Sequence, residues 1–191
     1  MTLPFSTHWA DGSPNYFVPK IWEGICQMDN WFFYETPKIT AKYIKEIEET
    51  KPFPNVRTKD IFGDFSDKPL HPKLHTLRED KKDRWQAGKK IHFVINNRTK
   101  NEFRFAPVLH CKSVQKVVIC QIQYGYLNQS VTIDNDFYWD RISEDEVFDD
   151  MLQFVKNDGF EDIESFFKFF FPKGEEGEKE LKLIHWTDLK Y

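Results

Sequence analysis

The chain has 191 residues, of which 40% are hydrophobic and 17% aromatic, and its formal net charge is −4. This apolar content excludes a wholly disordered chain, and the negative charge excludes a global positive field for sequence-independent nucleic-acid binding. No segment approaches the roughly 18 consecutive apolar residues of a membrane span. The three cysteines form no CxxC pair, which favours a reduced, cytoplasmic protein.

The first 72 residues predict helices separated by irregular chain. Residues 1–16 are rich in Pro, Gly, Ser and Asn and indicate an irregular arm, whereas 17–25 (FVPKIWEGI) has the apolar spacing of a short amphipathic helix. A second helix is predicted at 37–50, with Thr36 as its N-cap. Prolines at 52 and 54 end it, and a long loop follows to residue 72.

From Lys73 the pattern changes to strands, predicted at 75–78, 90–95, 103–108 and 113–124, with a pair at 131–135 and 137–139. Two helices follow, one opening at Ser143 and ending near Gly159, the other capped by Asp162. A charged, mobile loop is predicted at 172–180, before a last strand, LKLIHW. Because no βαβ rhythm occurs, these elements predict an α+β fold, either a small mixed barrel or a rolled sheet, flanked by helices.

The densest polar segment is 73–80 (KLHTLRED). An ammonium beside a hydroxyl, as in Lys73 and Thr76, can activate a nucleophile, and Arg with Lys beside aromatics suits a phosphate with a stacked base. Strand alternation predicts Thr76 and Arg78 on one face, and Lys73 and His75 on the other. The alternative is an edge strand with solvated charges.

KLHTLR, followed by RWQAGKKIHFV, resembles the motif of the ASCH domain, a PUA-like barrel family related to RNA-binding modules. In that family a short helix leads into K-x-x-T-x-R, which lies on a strand at the rim of a cleft. Here 17–25 is similar to the leading helix, and Lys73, Thr76 and Arg78 match the motif. The resemblance implies a single PUA-like domain over 1–191, a small mixed β-barrel flanked by helices, with 28–70 as an insertion.

The resemblance implies that the chain binds RNA or a modified nucleoside in a cleft around the motif. The residues expected to line this cleft are Lys20, Lys73, His75, Thr76, Arg78, Arg84 and Trp85.

Two other functions stay open. The enzyme branch of the family removes the acetyl group from N-acetylcytidine with a Lys, a Thr and a Glu, which implies an amidohydrolase using Lys73, Thr76 and Asp158. The side chain of Asp158 is one methylene shorter than that of the Glu. An equally weighted alternative to the catalytic role is that Asp158 only caps the end of its helix. The third hypothesis is a protein-interaction module that uses the 28–70 insertion.

The histidines show no HExxH or Cys/His ligand spacing, so no metal site and no cofactor are expected. The partners expected are RNA or a modified nucleoside, without a membrane. The sequence leaves the oligomeric state open.

Overall fold

The computed structural model describes residues 1–28, 70–141 and 146–191, which form a mixed α+β structure, as predicted. Its elements in chain order are β1 (Thr2–Phe5), α1 (Phe17–Met28), β2 (His75–Arg78), β3 (Lys90–Ile95), β4 (Phe103–Arg104), β5 (Leu109–His110), β6 (Ser113–Tyr124), β7 (Tyr126–Ile133), β8 (Asp136–Asp140), α2 (Glu146–Asn157), α3 (Ile163–Phe170) and β9 (Gly177–His185), with a 3-10 turn at Pro172–Gly174 between α3 and β9. None of the helices in the described ranges is long and apolar enough to cross a membrane.

Backbone packing divides the chain into two compact units. The first contains the described residues of Met1–Lys73 together with Lys90–Leu109, and the second contains Leu74–Lys89 together with the described residues of His110–Tyr191. The predicted 28–70 insertion and its helix lie, apart from the two end residues, outside the described residues. The single domain with an insertion therefore stays a prediction.

In the first unit, β3 pairs in parallel with β1 and antiparallel with β4. α1 buries the apolar positions that the sequence predicts, and the indole N–H of Trp22 donates to the carbonyl oxygen of Phe105 at 2.9 Å. The ring of Phe5 lies 6.0 Å from those of Phe93 and Phe105, measured between centroids. Residues 2–5 are thus a strand and not irregular chain, because they pair with 92–95, far along the sequence.

The second unit contains a five-stranded sheet in the order β2-β9-β6-β7-β8. Odd-numbered positions of β6 and β9 are buried on one face, which includes Val117, Ile119 and Leu183. The two helices cover this face: the rings of Trp139 and Phe167 are 6.0 Å apart. Burial of this continuous apolar face is the main source of stability for the unit.

Turn and cap chemistry fixes the ends of the later elements. Asp134 and Asn135 both have positive φ, which suits the tight turn between β7 and β8. Gly159 has a φ of +92° and ends α2, as predicted. Asp162 caps α3, also as predicted, by accepting a hydrogen bond from the Ser165 N–H at 2.6 Å. The predicted capping residue Ser143 lies outside the described residues.

Other predictions also differ from the structure. The strand predicted at 103–108 covers only 103–104. The loop predicted at 172–180 ends earlier, because Gly177 already begins β9 and the charges at 178 and 180 lie on the exposed side of that strand. The predicted barrel is not formed by the described strands, since neither sheet closes on itself and β2 and β8 remain edge strands.

We expect Asp162→Ala to destabilise the protein by about 1 kcal/mol, because it leaves N-terminal amides of α3 without their capping acceptor. Asp162→Asn retains the acceptor and serves as the matched control, with most of the stability kept. Denaturant unfolding of the three proteins measures the difference. Equal destabilisation by both substitutions would contradict the role of the capping hydrogen bond.

Candidate functional site

The strand β2 presents its side chains alternately to the two faces of the second sheet. His75 lies opposite His185 of the neighbouring strand β9, and Thr76 lies opposite Ile184. His75 therefore lies on the face covered by α2 and α3, where its ring centroid is 5.4 Å from that of Phe154. Thr76 and Arg78 belong to the opposite face, as the predicted alternation requires.

The end of α2 brings a carboxylate beside His75. The Leu74 N–H donates to the carbonyl oxygen of Asn157 at 2.8 Å, which ties the start of β2 to the end of the helix. Asp158 follows directly, and its Oδ1 lies 3.9 Å from Nδ1 of His75. Both side chains are buried, so the pair interacts with little screening by solvent.

The phenol of Tyr191 lies against the other nitrogen of His75. The Tyr191 hydroxyl is 2.9 Å from Nε2 of His75 and accepts a hydrogen bond from Nδ2 of Asn157 at 2.8 Å. Donation of the hydroxyl proton to His75 Nε2 lets the hydroxyl both donate and accept a hydrogen bond, and it assigns the Nδ1–H tautomer to the imidazole. The imidazole N–H then faces the Asp158 carboxylate.

Aromatic rings surround the Tyr191 side chain. Its centroid is 5.0 Å from that of Phe154, 5.4 Å from His75, 5.8 Å from Tyr138 and 6.0 Å from His185. We call this the tyrosine pocket; it is formed by His75, Gln115, Tyr138, Phe154, Asn157 and His185.

Gln115 fixes the backbone of Tyr191 in the tyrosine pocket. Its side-chain oxygen accepts from the Tyr191 N–H at 3.0 Å, and its amide nitrogen donates to the Tyr191 carbonyl oxygen at 2.6 Å.

A β-bulge near Val131 shifts the register of β8 relative to β7. Because of this shift, the side chains of Tyr138 and Trp139 both contact the helices.

His185 is the polar group of the pocket with the least satisfied environment. It is fully buried, and within the described ranges neither of its ring nitrogens has a hydrogen-bond partner. Burial lowers the pKa of His185 to about 4, an effect that Asp134 opposes and Lys190 reinforces. Burial also raises the pKa of the Tyr191 phenol. Both groups are therefore neutral near pH 7.

Arg78 and Thr76, the motif residues on the opposite face, are part of the same unit. Burial lowers the pKa of Arg78, while the Asp158 carboxylate raises it. The guanidinium remains charged, because its ordinary pKa is so high. Thr76 is buried.

Lys73 and Lys20, two of the predicted site residues, belong to the first unit. Both side chains are buried, and the Lys73 N–H donates to the Lys20 carbonyl oxygen at 2.8 Å. Nζ of Lys73 lies 4.8 Å from the centroid of the Phe17 ring, a cation–π contact that stabilises the charged ammonium. The predicted joint action of Lys73 with Thr76 and Asp158 stays a prediction.

Arg84 and Trp85, the remaining predicted ligand-binding residues, follow a turn that begins at Asp80. Burial raises the pKa of Asp80, but hydrogen bonds from Trp85 and Arg84 outweigh this effect and lower it. The Trp85 N–H donates to Asp80 at 2.7 Å, and Nε of Arg84 donates at 3.2 Å. Arg84 is mostly exposed, whereas the Trp85 ring is a buried core group.

Sequence reasoning placed His75 and Asp158 in the site but missed Asn157, Tyr191, His185 and Gln115. A local signal exists only for His185, since it continues the apolar alternation of LKLIHW. Its position beside His75 follows from the pairing of β2 with β9, which no local pattern reveals. Within the described ranges no group of three or more His, Cys, Asp or Glu is placed to hold a metal ion.

No protein-family model matches the chain, and neither does any curated protein or solved structure.

We expect His185 to make the protein less stable in mild acid. Its folded-state pKa of about 4 lies below the ordinary 6.5, so the stability it contributes is present above pH 6.5 and is lost as the pH falls towards 4. Full loss of this contribution lowers the free energy of unfolding by about 3 kcal/mol. The reason is that His185 binds a proton in the unfolded state at a pH at which the buried ring stays neutral.

His185→Gln removes this titration and leaves the other ionisable groups in place. The variant should therefore lose about 2 kcal/mol less stability than wild type between about pH 7 and pH 4.5. Urea unfolding at a series of pH values measures both curves. Parallel curves for wild type and variant would show that His185 is not held neutral by burial.

Proposed function

We propose that the second unit binds the base of a modified nucleoside, free or within single-stranded RNA, in the tyrosine pocket. The observation that carries the proposal is that this pocket holds a planar ring by hydrogen bonds to its polar edge. The ring is the phenol of Tyr191, bonded to His75 and Asn157. A pyrimidine base has the same six-membered planar shape and carries polar exocyclic atoms in similar positions.

The aromatic walls suit a planar ligand. Most rings around Tyr191 contact it edge to face, with interplanar angles of 85° for His75, 83° for Tyr138 and 70° for Phe154. Such contacts stabilise an aromatic ring beyond the burial of its area, and they tolerate a heteroaromatic ring as well as a phenol. An aliphatic ligand would lose this contribution.

The polar groups in the pocket favour a ligand with both donors and acceptors. Neutral His185 offers one N–H and one lone pair, and neither is engaged within the described part of the chain. The contrast with other polar side chains buried on this sheet face is informative. Gln121 and Gln129 bond to each other at 2.7 Å and each bonds to a further group, so they need no ligand.

Two neutral groups in the pocket, a carboxylate beside it and the net charge of −4 favour a base over a phosphate as the recognised group. His185 and the phenol are neutral at pH 7, and the Asp158 carboxylate lies beside His75. The resemblance of KLHTLR to the ASCH motif supports the same ligand class, since it implies an RNA or nucleoside ligand. The same resemblance implies a PUA-like fold, which we propose together with the ligand class.

We expect purified protein to bind cytidine or N-acetylcytidine saturably, and His75→Phe to weaken that binding by roughly tenfold. Tenfold is about 1.4 kcal/mol, which lies within the range of about 1–3 kcal/mol for the loss of a buried hydrogen bond. Phe keeps the ring and removes both nitrogens. His110→Phe, on the exposed strand β5, is the matched control and should bind like wild type. Isothermal titration calorimetry gives the dissociation constants, and thermal unfolding verifies that each variant is folded.

A comparison with a short single-stranded RNA that carries the same base tests whether the ligand is a free nucleoside or a base within RNA. Tighter, salt-dependent binding of the RNA would assign phosphate contacts, whereas equal affinities would assign recognition to the base alone. Acetate release from N-acetylcytidine that is lost in Thr76→Val would favour the amidohydrolase alternative. No binding of any of these ligands by wild type or by a variant lacking the Tyr191 ring would contradict the proposal.

A further inference from the structure

Residues 187–191 run from the end of β9 into the tyrosine pocket; we call them the strap. The strap is held at its first residue by a hydrogen bond from the Thr187 hydroxyl to the Leu74 carbonyl oxygen, at 3.4 Å. It is held at its last residue by the two hydrogen bonds of Gln115 and by the phenol contacts.

We propose that the strap is an internal competitor for the ligand pocket, and that its release controls access to the pocket. The inference rests on the proposed function. The Tyr191 ring occupies the space between His75, Phe154 and His185, and it uses the hydrogen-bonding atoms that a base would use. A base and the phenol cannot occupy this space together, so binding requires that Tyr191 leave.

The contacts of the strap are those of a displaceable segment. Between Thr187 and Tyr191 it buries no large apolar side chain, because Asp188 and Lys190 are exposed and Leu189 is half-buried. The ion pair of Asp188 with Lys112, at 3.2 Å, joins two largely exposed side chains and contributes little. The core ends just before the strap, at the fully buried Trp186.

The fit of Tyr191 is also incomplete, in a way that distinguishes a stand-in from a permanent core residue. The phenol satisfies His75 and Asn157 through its single hydroxyl. It leaves both nitrogens of the buried His185 without a hydrogen-bond partner in the described part of the chain, although the two rings are only 6.0 Å apart. A ligand with polar atoms on more than one edge would satisfy His185 as well.

Internal competition lowers the apparent affinity by the fraction of molecules in which the strap is open. Tyr191→Ala should therefore tighten binding of cytidine or N-acetylcytidine by about tenfold or more. Tyr191→Phe retains the ring but loses the hydrogen bonds to His75 and Asn157, so its affinity should lie between those of wild type and Tyr191→Ala. Tyr126→Ala, which removes an exposed tyrosine of β7, is the matched control and should bind like wild type.

The experiment measures dissociation constants by calorimetry and, in parallel, amide hydrogen exchange of residues 188–191 with and without nucleoside. The inference expects the predicted order of affinities and faster exchange of the strap when ligand is bound. If wild type binds the nucleoside and Tyr191→Ala binds it equally or more weakly, the strap is not an internal competitor. That result would not contradict the proposed ligand site. Absence of binding by wild type and by both Tyr191 variants would overturn the proposed function itself.

Discussion

The second unit is organised around a polar group buried at the contact of a sheet with a helix. His75 lies opposite His185 on the covered face of the sheet, and α2 ends directly above the start of β2. Each polar atom brought into this contact needs a partner, since an unsatisfied buried donor or acceptor costs about 1–3 kcal/mol. This requirement explains the phenol of Tyr191 at Nε2 of His75. The Asp158 carboxylate lies 3.9 Å from the other ring nitrogen, close enough for an electrostatic interaction.

Elements with a strong local pattern were predictable from the sequence. β6 alternates buried and accessible residues over most of its length, and its predicted bounds, 113–124, are those of the structure. The capping box at Asp162 is equally local. β1 could not be found in this way, because its strand partner among the described residues is β3, about 90 residues along the chain. The start of β9 was hidden by its charges, which a strand tolerates on its exposed side.

The candidate site was predictable only in part, for the same physical reason. The concentration of polar residues in KLHTLR marked His75 and Asp158 as members of a site, the latter through the resemblance. The pairing of β2 with β9 and the path of residues 187–191 determine the rest of the pocket, including His185 and Tyr191. The motif residue Lys73 packs with Phe17 in the first unit, whereas the rest of the motif belongs to the second unit. The continuous sequence of the motif gives no sign of this division.

In the proposed function, the buried ligand site poses a difficulty when no ligand is present, because its hydrogen-bonding atoms then face an unfavourable interior. The strap relieves this cost by presenting a ring of the right shape with a hydroxyl that engages His75 and Asn157. In that proposal the same contacts oppose ligand entry, so the stability of the unliganded protein and the affinity for ligand are linked through Tyr191. Because the phenol leaves His185 unsatisfied within the described residues, the strap compensates only part of the cost. A ligand that satisfies both histidines therefore has a thermodynamic advantage over the strap.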